Sequence, residues 1–138
     1  MVGPAREKSQ LAGDNGVRFI TGANMAEQMA WADMAISGAG STCWELLYMR
    51  VPSLLTVLAD NQRRVAEELQ ERGLSCNLGC ASNLSPEGIA TVVEQLLTSA
   101  RNRKQMSEDG RKLVDGEGAL RVVQKIGEST DCGRAIRR

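Results

Sequence analysis

Residues 37–45, Ser-Gly-Ala-Gly-Ser-Thr-Cys-Trp-Glu, bring glycines, hydroxyls and a carboxylate together just after a short apolar run and at the start of a predicted helix. Such a turn can hold a phosphate. Glycines let the backbone approach the ligand, and a helix N-terminus aims N–H groups and the positive end of its dipole at it. Ser41 and Thr42 add hydroxyl donors, and Glu45, one turn in, can accept two hydrogen bonds from a ribose diol. The same residues can also do nothing but begin a helix. Thr42-x-x-Glu45 reads as a capping box, in which the two residues satisfy each other's backbone N–H groups. The spacing alone leaves both readings open. The full G-x-G-x-x-G fingerprint is absent because Cys43 stands at its last position, and no Walker Gly-Lys pair is present.

Two further stretches have the same character. Ala59-Asp60-Asn61-Gln62 follows an apolar run and opens a helix. Asn61 and Gln62 offer donors and acceptors suited to sugar hydroxyls, or Asp60 caps the helix and the amides face water. Gly22-Ala23-Asn24-Met25 could present backbone groups to a base edge, or be only the cap of a helix. Arg63 and Arg64 could counter a diphosphate or lie on a solvated face. Trp31 and Trp44 read as core or interface residues.

What the chain lacks narrows the chemistry. It contains no histidine, which removes Ser-His-Asp, Cys-His and His-metal sites together. No catalytic residue is assigned within it. Cysteines at 43, 76, 80 and 132 offer no second pair or histidine to complete a zinc site, so they read as reduced core residues of a cytoplasmic protein, with no metal. Net charge is zero, from 17 basic and 17 acidic residues, and aromatics are few, which argues against a nucleic-acid partner. No apolar run approaches the length needed to span a bilayer.

The elements that must position these loops are short. Val17–Ile20, Met34–Ile36, Leu54–Leu58 and, weakly, Leu74–Leu78 read as strands. Leu54–Leu58 is apolar throughout, as in a strand buried on both faces of a parallel sheet. Helices are predicted from Asn24, with Glu27 reaching back to the cap; over Thr42–Met49; from Asp60 to Arg72, ended by Gly73; from Ser85-Pro86-Glu87 to about Leu97; and over 102–114 and 119–126. Alternating strands and helices specify an α/β fold, a Rossmann-like parallel sheet flanked by helices, of about four strands. Residues 1–16 form a loose segment with a strand remnant at Met1–Gly3, residues 17–126 the domain, and residues 127–138 a tail.

In combination, NM-x4-WAD-MAIS-GAGSTCWE, then VPSLLTVLADNQ, then ERGL resembles the C-terminal, donor-binding half of GT-B fold enzymes of the glycosyltransferase 28 type. The likeness runs from about Val2 to Ile126. It is greatest to the UDP-2,4-diacetamido-2,4,6-trideoxy-altropyranose hydrolase branch of pseudaminic acid synthesis, which the stretch DGEGALRVV (115–123) also fits. The resemblance implies a UDP or UDP-sugar ligand and no separate cofactor. It would place uracil on the backbone of Ala23, Asn24 and Met25, the diphosphate on Gly40, Ser41 and Thr42, the ribose on Glu45 and the sugar on Asn61 and Gln62. A whole GT-B enzyme has a second half with the active site in the cleft between the two. That half, and the first strand and helix of this one, have no counterpart here. The resemblance therefore implies a domain that is non-catalytic alone, completed by a missing N-terminal half or a partner subunit. The sheet edge left open makes self-association an expectation.

Overall fold

A computed structural model describes residue 20 and residues 24–135, with side chains through residue 128. The strand predicted at 17–20, the remnant at 1–3, the segment 1–16 and Ala23 fall outside this range; Ile20, the one described residue of its run, belongs to no strand.

Helix α1, Met25–Trp31, starts where Asn24 Oδ1 accepts the Ala26 N–H at 3.2 Å while Asn24 Nδ2 donates to Glu27 Oε1 at 3.0 Å. The predicted cap forms, with Glu27 bracing the capping side chain. Strand β1, Ala35–Gly38, and strand β2, Ser53–Val57, flank helix α2, Thr42–Tyr48. A 3-10 turn at Asp60–Gln62 leads into α3, Arg63–Glu71. Strand β3, Cys76–Cys80, and a second 3-10 turn at Ala81–Asn83 precede α4, Pro86–Thr98. Helix α5 spans Ala100–Leu113 and α6 spans Gly118–Ala135, nine residues beyond the predicted end at Ile126. Among the described residues, no helix is long and apolar enough to cross a membrane.

The three described strands are parallel, in the order β1-β2-β3. Together with the flanking helices they make the chain an α/β, Rossmann-like domain. The central strand reads as its sequence requires. Leu54 and Leu55 are both fully buried although their side chains leave opposite faces. Leu55 and Val57 pack with Cys43 and Leu47 of α2 and Ala66 and Leu69 of α3, while Leu54 packs with Leu96 of α4 and Met106 of α5. Burial of each leucine contributes about 1.5–3 kcal/mol. Met29 seats α1 beside α2 through Leu46 and Val51. Neither tryptophan joins this core: Trp31 is 85% exposed at the end of α1, and Trp44 is 41% exposed on the outer side of α2.

The ends of the elements depart from the predicted ones for local reasons. β1 runs two residues further than Ile36, because Ala39 still donates its N–H to Thr56 O of β2 at 2.9 Å. Helix α2 closes with Arg50 at a φ of +63° and a Val51 N–H to Leu46 O bond of 2.9 Å, a left-handed ending in a residue that carries a side chain. β3 starts two residues later than predicted and carries a bulge, since Leu55 pairs with Asn77 but Thr56 pairs with Gly79. Gly79 takes a φ of +86°, and Asn77 Oδ1 accepts its N–H at 2.8 Å. Ser85 caps α4 as predicted, accepting the Gly88 N–H at 3.1 Å.

Candidate functional site

The carboxyl ends of β1 and β2 bring two loops to one edge of the sheet, where ligands of open parallel sheets bind. The first is Ala39–Ser41, between β1 and α2. Ala39 is buried among core residues, which anchors the loop, whereas Gly40 and Thr42 are half-buried and Ser41 is exposed. The helix opens with Cys43 and Trp44 donating to Gly40 O and Ser41 O. The N–H groups of Gly40, Ser41 and Thr42 are not used in any bond described between loops, turns or caps.

The predicted capping box does not form. Ser41, not Thr42, occupies the cap position, with helical backbone angles and no side-chain cap bond. Thr42 and Glu45 exchange no side-chain hydrogen bond, and the Glu45 carboxylate lies exposed, making neither a hydrogen bond nor an ion pair among those described. Its carboxylate therefore needs no rearrangement to meet a ligand.

The second loop is Leu58–Gln62. Gln62 Oε1 accepts the Leu58 N–H at 3.0 Å. Because the partner is a donor, the bond decides which end of the amide is oxygen, and leaves the Nε2 donors on the other side. Nε2 lies 3.5 Å from the place a Cβ at Gly40 would take. Gln62 thus leans over the first loop, and the two stretches singled out in the sequence meet. Asn61 is exposed beside it. Asp60 does not cap α3 as predicted: it makes no cap bond, and its exposed carboxylate lies 3.7 Å from Arg63 Nη2. Arg63 also donates to Cys80 Sγ at 3.3 Å, which raises the guanidinium's pKa further. That thiol is half-buried at the end of β3 and packs against the core cluster, as its reading as a core residue expects. Cys43 and Cys76 are more enclosed, and burial pushes both thiols up.

The glycine that ends β1 and the glycine of the first loop have different causes. A Cβ at Gly38 would lie 2.7 Å from Leu58 Cδ1, so a side chain there would have to push the exposed tip of Leu58 aside. A Cβ at Gly40 meets nothing closer than ordinary contact with Gln62, so the fold itself does not demand this glycine.

Sequence reasoning missed a groove beside this edge. It has a volume of about 480 Å³ and is lined by Ala26 and Met29 of α1, by Trp44, Glu45 and Tyr48 of α2 with Met49 just after it, and by Val114 and Gly116. Its wall is apolar except for Glu45. The signal lay in the sequence: Ala26 and Met29 on α1, and Glu45 and Tyr48 on α2, each fall three residues apart on one helix face, a pattern that also describes ordinary core. Tyr48 is held by Arg111, whose guanidinium carbon stacks 4.0 Å from the ring centroid.

The sequence pattern of the glycosyltransferase family 28 C-terminal domain matches residues 5–120, which include every one of these loops. The chain belongs to this family. As a family 28 C-terminal domain it is of the nucleotide-sugar-binding glycosyltransferase type. Among characterised proteins it is similar to the spore coat polysaccharide biosynthesis protein SpsG of Bacillus subtilis (strain 168), 29% identical over 100 residues. That match covers 72% of this chain but 30% of the relative, so the family 28 domain spans under a third of the protein it resembles. No solved structure matches.

Proposed function

We propose that this family 28 domain binds UDP or a UDP-sugar along the carboxyl edge of its sheet. The observation that supports this best is the meeting of Gln62 with the Gly40 loop, since it aims amide donors at a backbone left bare without a packing reason. In this reading Gly40, Ser41 and Thr42 hold the diphosphate, whose charge suits the unspent N–H groups at the start of α2. Glu45 takes the ribose hydroxyls. Uracil lies against the backbone of Ala23, Asn24 and Met25. Asn61 and Gln62 face the sugar, with Gln62 Nε2 on the diphosphate side, beside Gly40.

The reaction proposed for the whole enzyme is departure of UDP from the sugar, with water or an acceptor hydroxyl as nucleophile. The domain's part is electrostatic: the helix end and amide donors stabilise negative charge on the leaving diphosphate. The base that activates the nucleophile would come from a second half, supplied by further chain or by a partner subunit, and the domain alone would bind without catalysis. A hydrolase of the pseudaminic acid branch and a glycosyltransferase are both served by this arrangement; the family name and the polysaccharide pathway of the relative favour transfer. Free thiols at Cys43, Cys76 and Cys80 agree with a cytoplasmic location.

Titration of the chain with UDP, followed by NMR shifts or calorimetry, tests the proposal. Saturable binding is expected, with Glu45→Ala weakening it by at least about tenfold, the loss of hydrogen bonds to a charged group worth roughly 1.5–3 kcal/mol. Because the Glu45 carboxylate has no described partner in the free protein, its removal should leave thermal stability nearly unchanged. No response at millimolar UDP would overturn the reading.

A further inference from the structure

Gln62 and Arg63 are neighbours in sequence and part company at the sheet edge. Gln62 leans back toward the Gly40 loop after β1, whereas Arg63 reaches the end of β3, where Nη2 donates to Cys80 Sγ at 3.3 Å. The bulge in β3 makes that anchor. Cys76 and Cys80 are four residues apart and would share a face of a regular strand. The extra residue reverses the alternation. Cys76 packs with Leu54 on the α4 side, while Cys80 stands opposite Val57 and packs with its cluster on the α3 side, where Arg63 begins the helix. β3 lies two strand spacings from β1, roughly 10 Å, so a guanidinium held at its end is too far to pair with a phosphate on the Gly40 loop. Arg64 does not replace it: it lies on the face of α3 that carries Glu67, Glu68, Glu71 and Arg72.

Arg63 is held loosely there. A thiol is a weak acceptor, and the Asp60 carboxylate, 3.7 Å away, is fully exposed, in the kind of pair that contributes little. Nε and Nη1 make no bond among the described residues, and half of the side chain is open to solvent. A guanidinium with donors to spare at a ligand edge fits a carboxylate. The ligand proposed above runs along this edge from the base, to the diphosphate after β1, to the sugar at Asn61 and Gln62 after β2. The next position outward, at the end of β3, meets the far side of the sugar. We propose that Arg63 makes this domain select a UDP-linked sugar that bears a carboxylate, a uronic acid, over its neutral counterpart. The carboxylate takes the place of the thiol as partner of the guanidinium. Asp60, whose carboxylate has no other partner among the described residues, turns out into water. The inference rests on the UDP-sugar reading of the edge.

Calorimetric titration of the 138-residue chain with UDP, UDP-glucose and UDP-glucuronate tests this. The two sugars differ only in a hydroxymethyl or a carboxylate group on the same carbon. UDP-glucuronate should bind at least about tenfold tighter than UDP-glucose, as a charge-assisted hydrogen bond gives. Arg63→Gln should bring the two sugars to equal affinity. Arg64→Gln, which removes the same charge from the next residue, should keep the preference. If UDP binds the wild type and UDP-glucuronate binds no tighter than UDP-glucose, the proposal is overturned and the reading of the edge stands. A preference that survives Arg63→Gln, or that Arg64→Gln abolishes as well, overturns it too, because overall charge would then be the cause. If none of the three ligands binds, both the selection and the reading beneath it fall.

Discussion

Replacing Gln62 with glutamate separates the fold from the ligand site at one atom. In the wild type Oε1 accepts the Leu58 N–H at 3.0 Å, and Nε2 presents its donors toward Gly40. A carboxylate can still accept from Leu58, so the tether that shapes the loop is kept, and a charged acceptor makes that bond worth roughly 1.5–3 kcal/mol rather than about 1. Folding stability should hold or rise slightly. The oxygen that replaces Nε2, however, would meet the diphosphate with a negative charge. At about 5 Å and an effective dielectric constant of about 20, two unit charges repel by about 3 kcal/mol. Loss of the donated hydrogen bond to a charged group adds roughly 1.5–3 kcal/mol. The sum, about 5 kcal/mol, weakens UDP binding by between three and four orders of magnitude, to nothing measurable by calorimetry. Gln62→Ala should behave differently: it loses the tether, lowering stability by about 1 kcal/mol, and loses the donor without adding repulsion, so binding weakens less. Calorimetric titration and urea unfolding of the three proteins side by side provide the assay. If Gln62→Glu binds UDP as tightly as the wild type, Gln62 does not face the phosphates and the assignment of this edge is wrong.

Three further outcomes follow from the packing around the groove. Gly116→Ala should destabilise the domain by about 1–3 kcal/mol in urea unfolding, because the residue has a φ of +87° and its new Cβ would lie 2.7 Å from the Tyr48 ring; an unchanged midpoint would refute this account of the turn. Arg50→Gly should raise stability by about 0.5–1 kcal/mol, since Arg50 ends α2 at a φ of +63° that glycine adopts freely, and a lowered melting temperature would show that the arginine side chain matters more than its backbone. Asp115 is held down to a pKa of about 2, first by its hydrogen bonds from Arg121 and then by the Glu117 N–H. A lowered carboxyl pKa stabilises above the ordinary value and is lost as pH falls toward the folded one. Protection of the amides in the first turns of α6, measured against their intrinsic exchange rates, should therefore fall between about pH 4 and pH 2, and Asp115→Asn should show the lower protection at neutral pH without that dependence.

Much of this fold could be read from residue types because local signals and packing agree. The apolar run at 54–58 announced a doubly buried strand, and Leu54 and Leu55 occupy both faces of the sheet as it required. Asn24 and Ser85 cap the helices they were expected to cap, and Gly73 takes the left-handed position after α3. The errors arose where a side chain had a choice between near and distant partners. Thr42 and Glu45 have capping-box spacing, yet the chain turns at Ser41 and leaves Glu45 outward. Asp60 has capping chemistry, yet a 3-10 turn moves the start of α3 to Arg63. Neither outcome is visible in local spacing, because each depends on how β1 and β2 deliver the chain to the sheet edge.

The site itself is legible only as a conjunction. Each of the loops at Gly40 and Gln62, taken singly, is an ordinary turn before a helix. Their order along a parallel sheet brings them to one edge, and a single hydrogen bond, Leu58 N–H to Gln62 Oε1, turns a glutamine that could face water into one that overhangs the glycine loop. That bond joins residues four apart, so it was available to sequence reasoning. Its consequence was not, because Gly40 lies on a different strand's loop. The groove between α1 and α2 shows the same limit from the other side. Met29 and Met49 follow the periodicity of core residues, and Met29 is indeed buried, but the space between the two helices stays open where Tyr48 is drawn outward to Arg111. An apolar stripe indicates that a helix face seeks cover. Whether protein or a ligand supplies that cover is decided by side chains on other elements, here by one arginine on α5.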